Sequence, residues 1–428
     1  MLQLLALLAL SQTPQHRLFL QPNMSRANLA YFELAPLNGA GMTPACACQP
    51  VTGAKGETIS LVRATTATCS KKGAARTGIQ NGDYVECAAN QFRVEPDATG
   101  VMGLRTNTSR TNSQTRTKEF TDAAWPVCTF GTPLGVTRIA NQAIAPDGTL
   151  TADRLIYSST TSGQSSCIFQ VNDTDGVTTT RSVFVKSFMD AGTFDICSGG
   201  IATQCIVSSN CQHNPDTWTL CEYTLSSAAQ NNTIFGCDGT TKGAACVGGD
   251  VYIWGGQTEA GWRATSYIPT VASAATRDAD YYTAPLSISQ MRMCMAVTAT
   301  GLYQNGAEQV MLQTSETLDG GNSLRFGITN TASVETFTIV GSASVSFSGG
   351  TLPSSGARFR FRFDGDAGTA SIFATPPSTG GGGTGPYASN LDSGVVLGIG
   401  TTTLSSLQYD GILSRIQVDP TLTTCTTQ

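Results

Sequence analysis

Histidine, the commonest general base and a frequent metal ligand, is scarce in this chain, and its settings are unfavourable. The two histidines are His16, in an apolar N-terminal run, and His213, in a cysteine-rich stretch. A serine–histidine–carboxylate triad needs an imidazole held between a nucleophile and an acid, and neither setting offers that. No GxSxG or HExxH string occurs. Paired carboxylates could hydrolyse a glycosidic bond, and three pairs are present: Asp173 and Asp175 in "VNDTDG", Asp278 and Asp280 in "TRDAD", and Asp364 and Asp366 in "FDGDAG". All three fall where a turn or linker is expected, and turn aspartates bond their own backbone. They read as structural. "NDTDG" and "DGDAG" also lack the further oxygens and the twelfth-position glutamate of an EF-hand loop. No catalytic residue, metal or cofactor is therefore expected, and the chain reads as non-enzymatic.

Cysteine is the exception, with fourteen copies, an even number. Cys46 and Cys48 form one CxC, no CxxC occurs, and no Cys/His spacing suits zinc. Disulfides in an oxidising, extracellular setting are the expectation. Six cysteines cluster from Cys197 through Cys205, Cys211, Cys221 and Cys237 to Cys246. The strands "TISLVRATTATC" and "DYVECAAN" could set Cys69 opposite Cys87. Local pairing also suggests Cys237 with Cys246. Cys294 and Cys425 are expected to join, because first and last strands of a sandwich often lie side by side.

The elements that must carry these residues are strands. Charged residues make up 13% and aromatics 7% of 428 residues, with 45 glycines; that is too poor in helix formers for a helical protein and suits short strands with glycine-rich turns. A net charge of −5 leaves no basic footprint for nucleic acid. Residues 1–92 read as an irregular docking segment containing a β-hairpin. Its start, "MLQLLALLALSQTPQHRLFL", lacks a basic n-region and a good cleavage site, and is too short to span a bilayer. It is expected to remain and pack on a neighbour. Residues 93–283 carry period-two strands such as "SCIFQVN", "TRSVFVKSF", "TWTLCEYTL" and "DVYIWGGQ". Residues 284–428 carry a second set, including the hairpin "ARFRFRFDGDAGTASIFA". Two antiparallel jelly-roll β-sandwiches are expected, with a boundary near Pro285. In "IANQAIAPDGTLTADRL", the Pro-Asp-Gly turn is architectural and joins two strands.

An ordered series of runs resembles phage tail- and head-fibre proteins. The series is "RATTATC", "YVECAANQFRVEP", "GVMGLRTNTSRTNSQTRTKEFTDAAW", "VTRIANQAIAPDGTLTADRL", "RSVFVKSF", "DTWTLCEYTL" and "DVYIWGGQTEAGWRATSYIPTVASAATRDAD", spanning residues 63 to 281. The resemblance implies lectin-like, carbohydrate-binding-type jelly rolls on a virion surface. It also implies homo-oligomers that are commonly trimers, and host surface glycans as candidate ligands; attachment to other virion proteins is expected through the apolar N-terminal segment. The last strand, "YDGILSRIQV", resembles that of concanavalin- or laminin-G-like sandwiches. A tailspike depolymerase and a secreted bacterial surface adhesin are the alternatives. Sugar recognition would use exposed aromatic rings. Trp254, in "VYIWG", reads as core, and Trp125 matches a packing position of the family. Trp262 departs from the family in the loop "EAGWRATSY" and is the first candidate. Trp218 is the second, although the family uses that position for packing as well.

Overall fold

The computed structural model describes residues 59–73, 75–96, 102–171, 177–199, 205–206, 211–225, 232–239 and 246–285, together with strand segments at 32–34, 292–300, 308–315, 324–331, 334–337, 345–348, 357–364, 369–375, 396–399 and 411–419. The architecture is all-β.

The alternating runs form two facing sheets. The front sheet has the order Thr219–Leu225, Thr179–Ser187, Gly249–Ala260, Ala152–Tyr157, Val136–Ala143, antiparallel throughout. The back sheet runs Cys205–Ile206, Ile196–Gly199, Asn232–Asp238, Gln164–Val171, Thr132–Pro133, and only its last pairing is parallel. Period-two alternation sends alternate residues to opposite faces. Leu155, Val183, Val185, Val251 and Ile253 of the front sheet therefore pack with Ile168, Ile196 and Phe235 of the back sheet. Trp125, fully buried, stacks on Phe235 with ring centroids 5.3 Å apart. The intervening residues of the front sheet, among them Phe184 and Trp254, face outward and are covered by Ile79, Tyr84 and Tyr267.

Two glycines explain a kink in the longest strand. Register slips between Ser182 and Phe184 opposite Gly255 and Gly256. Gly255 adopts φ +66°, and a Cβ on Gly256 would stand 2.5 Å from the Gln114 side-chain oxygen. This β-bulge is why the strand reads "WGGQ". In the turn after Val136–Ala143, Gly148 N donates to Ala145 O at 2.9 Å, and Asp147 Oδ1 accepts from Thr149 N at 3.0 Å. The "APDG" string is a turn, as its residue types require.

The C-terminal strands belong to two seven-stranded sheets, and both take strands from earlier in the chain. One has the order Thr369–Thr375, Ala357–Asp364, Arg292–Thr300, Gly411–Asp419, Met102–Thr106, Val94–Pro96, with Phe32–Leu34 also paired to Gly411–Asp419. The other begins with Ser60–Val62, then Tyr281–Pro285, which pairs in turn with Val396–Ile399. The partition expected at 283/284 is thus crossed by a strand, and the 1–92 and 93–283 segments lend edges to the C-terminal sheets. The physical reason is that strands buried by long-range pairing carry no linker signal. Residues 1–20 lie outside the described residues. Among the described residues, no helix is long and apolar enough to cross a membrane.

Where the N-terminal segment meets residues 257–282, the interior is ionic. Asp280 is fully buried; Arg63 donates to its Oδ1 at 2.7 Å, Arg93 to its Oδ2, and the Asn107 amide to Oδ2 at 2.9 Å. The reading of Asp280 as a turn aspartate is therefore corrected. Its carboxylate is the counter-charge of two buried guanidinium groups, which also donate to the carbonyls of Thr65, Thr68, Ala88 and Gln91 and to Ser266 Oγ. Asn112 uses its whole amide: Nδ2 donates to Gly256 O and Ile268 O, and Oδ1 accepts from Gln114 N and Thr258 N.

Candidate functional site

One end of the first sandwich gathers the strand termini Val171, Thr179, Leu225, Asn232 and Ala260. The loop leaving Gly249–Ala260 crosses this end and carries Trp262. Gly261 turns the chain at φ +132°, and a Cβ there would meet the Arg110 guanidinium at 3.0 Å. The loop backbone is held from several sides. Gly261 N donates to Thr178 O at 2.8 Å, and Thr180 Oγ1 donates to Gly261 O at 2.8 Å. Thr224 Oγ1 donates to Trp262 O at 3.0 Å, and Ala264 N donates to Glu222 Oε2 at 3.0 Å. Glu222 is itself paired with Arg76 at 2.5 Å.

Beneath the loop, Glu259 is fully buried. It accepts from Thr265 N, from Thr265 Oγ1 at 2.8 Å and from Gln257 Nε2 at 3.0 Å. Burial pushes its carboxyl up to about 7, against the opposing pull of Arg277, Arg110 and the Thr265 hydrogen bonds.

The result is an exposed indole carried on a loop whose backbone is braced. Trp262 is 44% exposed, whereas Trp125, Trp218 and Trp254 are exposed by 1% or less. The exposed Trp262 ring offers an apolar face to solvent. Such an arrangement suits stacking against a pyranose ring. Trp218 does not share it. Its indole donates to Asn81 Oδ1 at 3.0 Å, and its backbone exchanges hydrogen bonds with Ile79. The expectation that Trp218 binds sugar is corrected, because the segment around Ile79 covers that sheet edge. That cover was not visible in the sequence, since the pairing spans more than a hundred residues. Asp173 and Asp175 lie outside the described residues.

His213 has a partner that the sequence did not reveal: Ser187 Oγ hydrogen-bonds its Nδ1. The two residues are only 5% and 1% exposed, so this pair presents no nucleophile to solvent. Burial also pushes the imidazole pKa down.

The disulfides are Cys128–Cys167, Cys211–Cys221 and Cys237–Cys246. Cys69, Cys87 and Cys197 are disulfide-bonded as well. Among the described residues no cysteine is free. Cys69 faces Val85 and Cys87 faces Ala67, so the two cysteines stand diagonally rather than opposite, a correction to the expected register. Cys128–Cys167 was missed because its members lie 39 residues apart and outside the cluster. The side chains of Cys205 and Cys294, and all of Cys425, lie outside the described residues.

No family model matches the chain, and no curated protein matches it. Solved structures similar to it include the following two. The first is the tandem CBM22-1–CBM22-2 domain of Paenibacillus barcinonensis Xyn10C, at 12% identity and a TM-score of 0.23, covering 73% of this chain and 97% of that one. The second is mouse laminin alpha1 chain domains LG4-5, at 9% identity and a TM-score of 0.23, covering 61% of this chain and 89% of that one.

Proposed function

We propose that this chain is a non-enzymatic structural subunit of a phage virion, a head- or tail-attached fibre or decoration protein, and that Trp262 is its platform for surface glycans. The observation that carries the glycan reading is the contrast between Trp262, presented on a braced loop, and the three other tryptophans, which are buried. The virion reading is supported by the ordered resemblance from residue 63 to 281. The disulfides fit a protein that works in an oxidising setting outside the cell. The N-terminal segment attaches the subunit to other virion proteins and to sister copies, with a trimer as the expected assembly.

The test is binding of the full chain to immobilised host-surface polysaccharides, with Trp262→Ala beside the parent. Loss of a stacking ring should weaken binding about tenfold, in line with the ~0.5–1.5 kcal/mol of an aromatic contact plus its buried area, with unchanged thermal stability. Equal binding by the two proteins rejects Trp262 as the platform. Absence of the chain from purified particles rejects the virion placement.

A further inference from the structure

We propose that Asp195, Cys237 and Cys246 form a zinc site when the Cys237–Cys246 disulfide is reduced, so that disulfide and metal are alternative staples of the same place. The ligand atoms of these three buried residues lie within 4.8 Å of one another. Each comes from a different part of the fold. Cys237 is on the strand Asn232–Asp238. Cys246 exchanges two 2.9 Å backbone hydrogen bonds with Thr160. The carbonyl of Asp195 accepts from Gly236 N at 3.2 Å, which ties it to the same strand as Cys237.

The oxygens around the sulfurs suit the reduced state. Asp195 Oδ2 lies 2.8 Å from Cys246 Sγ, and Val247 O lies 3.0 Å from Cys237 Sγ. A disulfide sulfur has no proton to donate, whereas each thiol would find an acceptor already in place. Two further polar groups lie in this neighbourhood. The hydroxyls of Tyr157 and Thr160 are buried, at 4% and 2% residue exposure, and have no hydrogen-bond partner among the described residues. Tyr157 lies within electrostatic reach of Asp195, and Thr160 bridges Cys246.

The chemistry balances. A dithiol reductant gives two electrons and two protons to the disulfide, yielding the Cys237 and Cys246 thiols and the reductant's own disulfide. Zn²⁺ then displaces both thiol protons to solvent. One dication added to two thiolates adds no net charge, so the buried charge beside Asp195 is the same in both states. Two thiolates and a carboxylate form a set that zinc accepts. Zn–S bonds of about 2.3 Å place the sulfurs roughly 3.8 Å apart in a tetrahedron, which side-chain rotation can reach from a Cα–Cα distance of 5.5 Å. The spacing of these cysteines matches no short zinc motif; the fold, not a sequence string, assembles the site.

The experiment uses the full chain, reduced with a dithiol and freed of it without air. Zinc is added, accessible thiols are alkylated, and the modified cysteines are mapped by mass spectrometry. Zinc should slow alkylation of Cys237 and Cys246 at least tenfold, and a chelator should restore it. Asp195→Asn, which keeps both thiols and the side-chain shape, should weaken zinc binding about tenfold or more. Equal alkylation of Cys237 and Cys246 with and without zinc overturns the proposal. So does undiminished zinc binding in Asp195→Asn. If that variant fails to fold, the zinc and chelator measurements on the parent chain decide alone.

Discussion

The two interiors of the first sandwich are built on opposite principles. Between the front and back sheets, the interior is aromatic and aliphatic, with Phe120, Trp125 and Phe194 each in ring contact with Phe235. Beside it, where residues 59–112 meet 257–282, the interior is polar. Arg63, Arg93, Arg277, Glu259 and Asp280 are each exposed by 1% or less. An apolar interior is held by area and shape, which fail by degrees. A buried ionic interior fails abruptly, because removing one partner strands another charge. One small region of the molecule is thus tolerant and its neighbour is not.

The largest expected effect breaks the ionic side. Asp280→Asn keeps the side-chain size but leaves Arg63 and Arg93 without their counter-charge. Chemical denaturation should show a loss of about 3–5 kcal/mol; a loss under about 1 kcal/mol would mean that the arginines find other acceptors.

Next comes pH. The Glu259 carboxyl is raised from its ordinary value to about 7 in the folded chain. Between those two values the folded state binds more protons than the unfolded state, so this group's contribution to stability is highest below the ordinary carboxylate pKa. It declines as pH rises towards about 7, by on the order of 3–4 kcal/mol in total. Denaturation at pH 5 and pH 8 should show that decline, and Glu259→Gln should remove it whatever its effect on absolute stability. A variant with the parent's slope would assign the effect elsewhere.

The smallest effect belongs to the aromatic side. Phe235→Leu removes ring contacts with Trp125, Phe120 and Phe194 but nearly conserves volume, and should cost about 1–2 kcal/mol. A cost equal to that of Asp280→Asn would erase the contrast between the two interiors.

That contrast also explains what could be read in advance. The runs "SCIFQVN", "TRSVFVKSF", "TWTLCEYTL" and "DVYIWGGQ" alternate at period two, and each is a strand of the sandwich. The pairing of Cys237 with Cys246 needed only proximity in sequence. The ionic interior was hidden because an aspartate in "TRDAD" looks like a solvated turn, and its partners lie 187 and 217 residues away. Yet the runs that carry the resemblance include Asn112, Arg277 and Asp280, all of them buried. Those three motif residues therefore belong to an internal polar network rather than to a binding surface. Trp262 stood out for the converse reason, as a departure from the motif on a loop free to vary. Trp218 was misplaced because its cover, the segment around Ile79, gives no local sign that it packs there.

The pairing of Phe32–Leu34 with Ile416–Val418 has a consequence in time. A ribosome adding roughly 5–20 residues per second makes Asp280 only about 10–40 seconds after the arginines that need it, and the partner of Phe32 later still. Until then Arg63 and Arg93 cannot take up their final places. The alternating runs between Val136 and Ala260 pair with one another and with segments already made, such as those around Ile79 and Asn112, and can close while the later partners are still awaited. Emergence from the ribosome therefore imposes an order: the aromatic interior first, the ionic seam second, and the strand at the chain's beginning last of all.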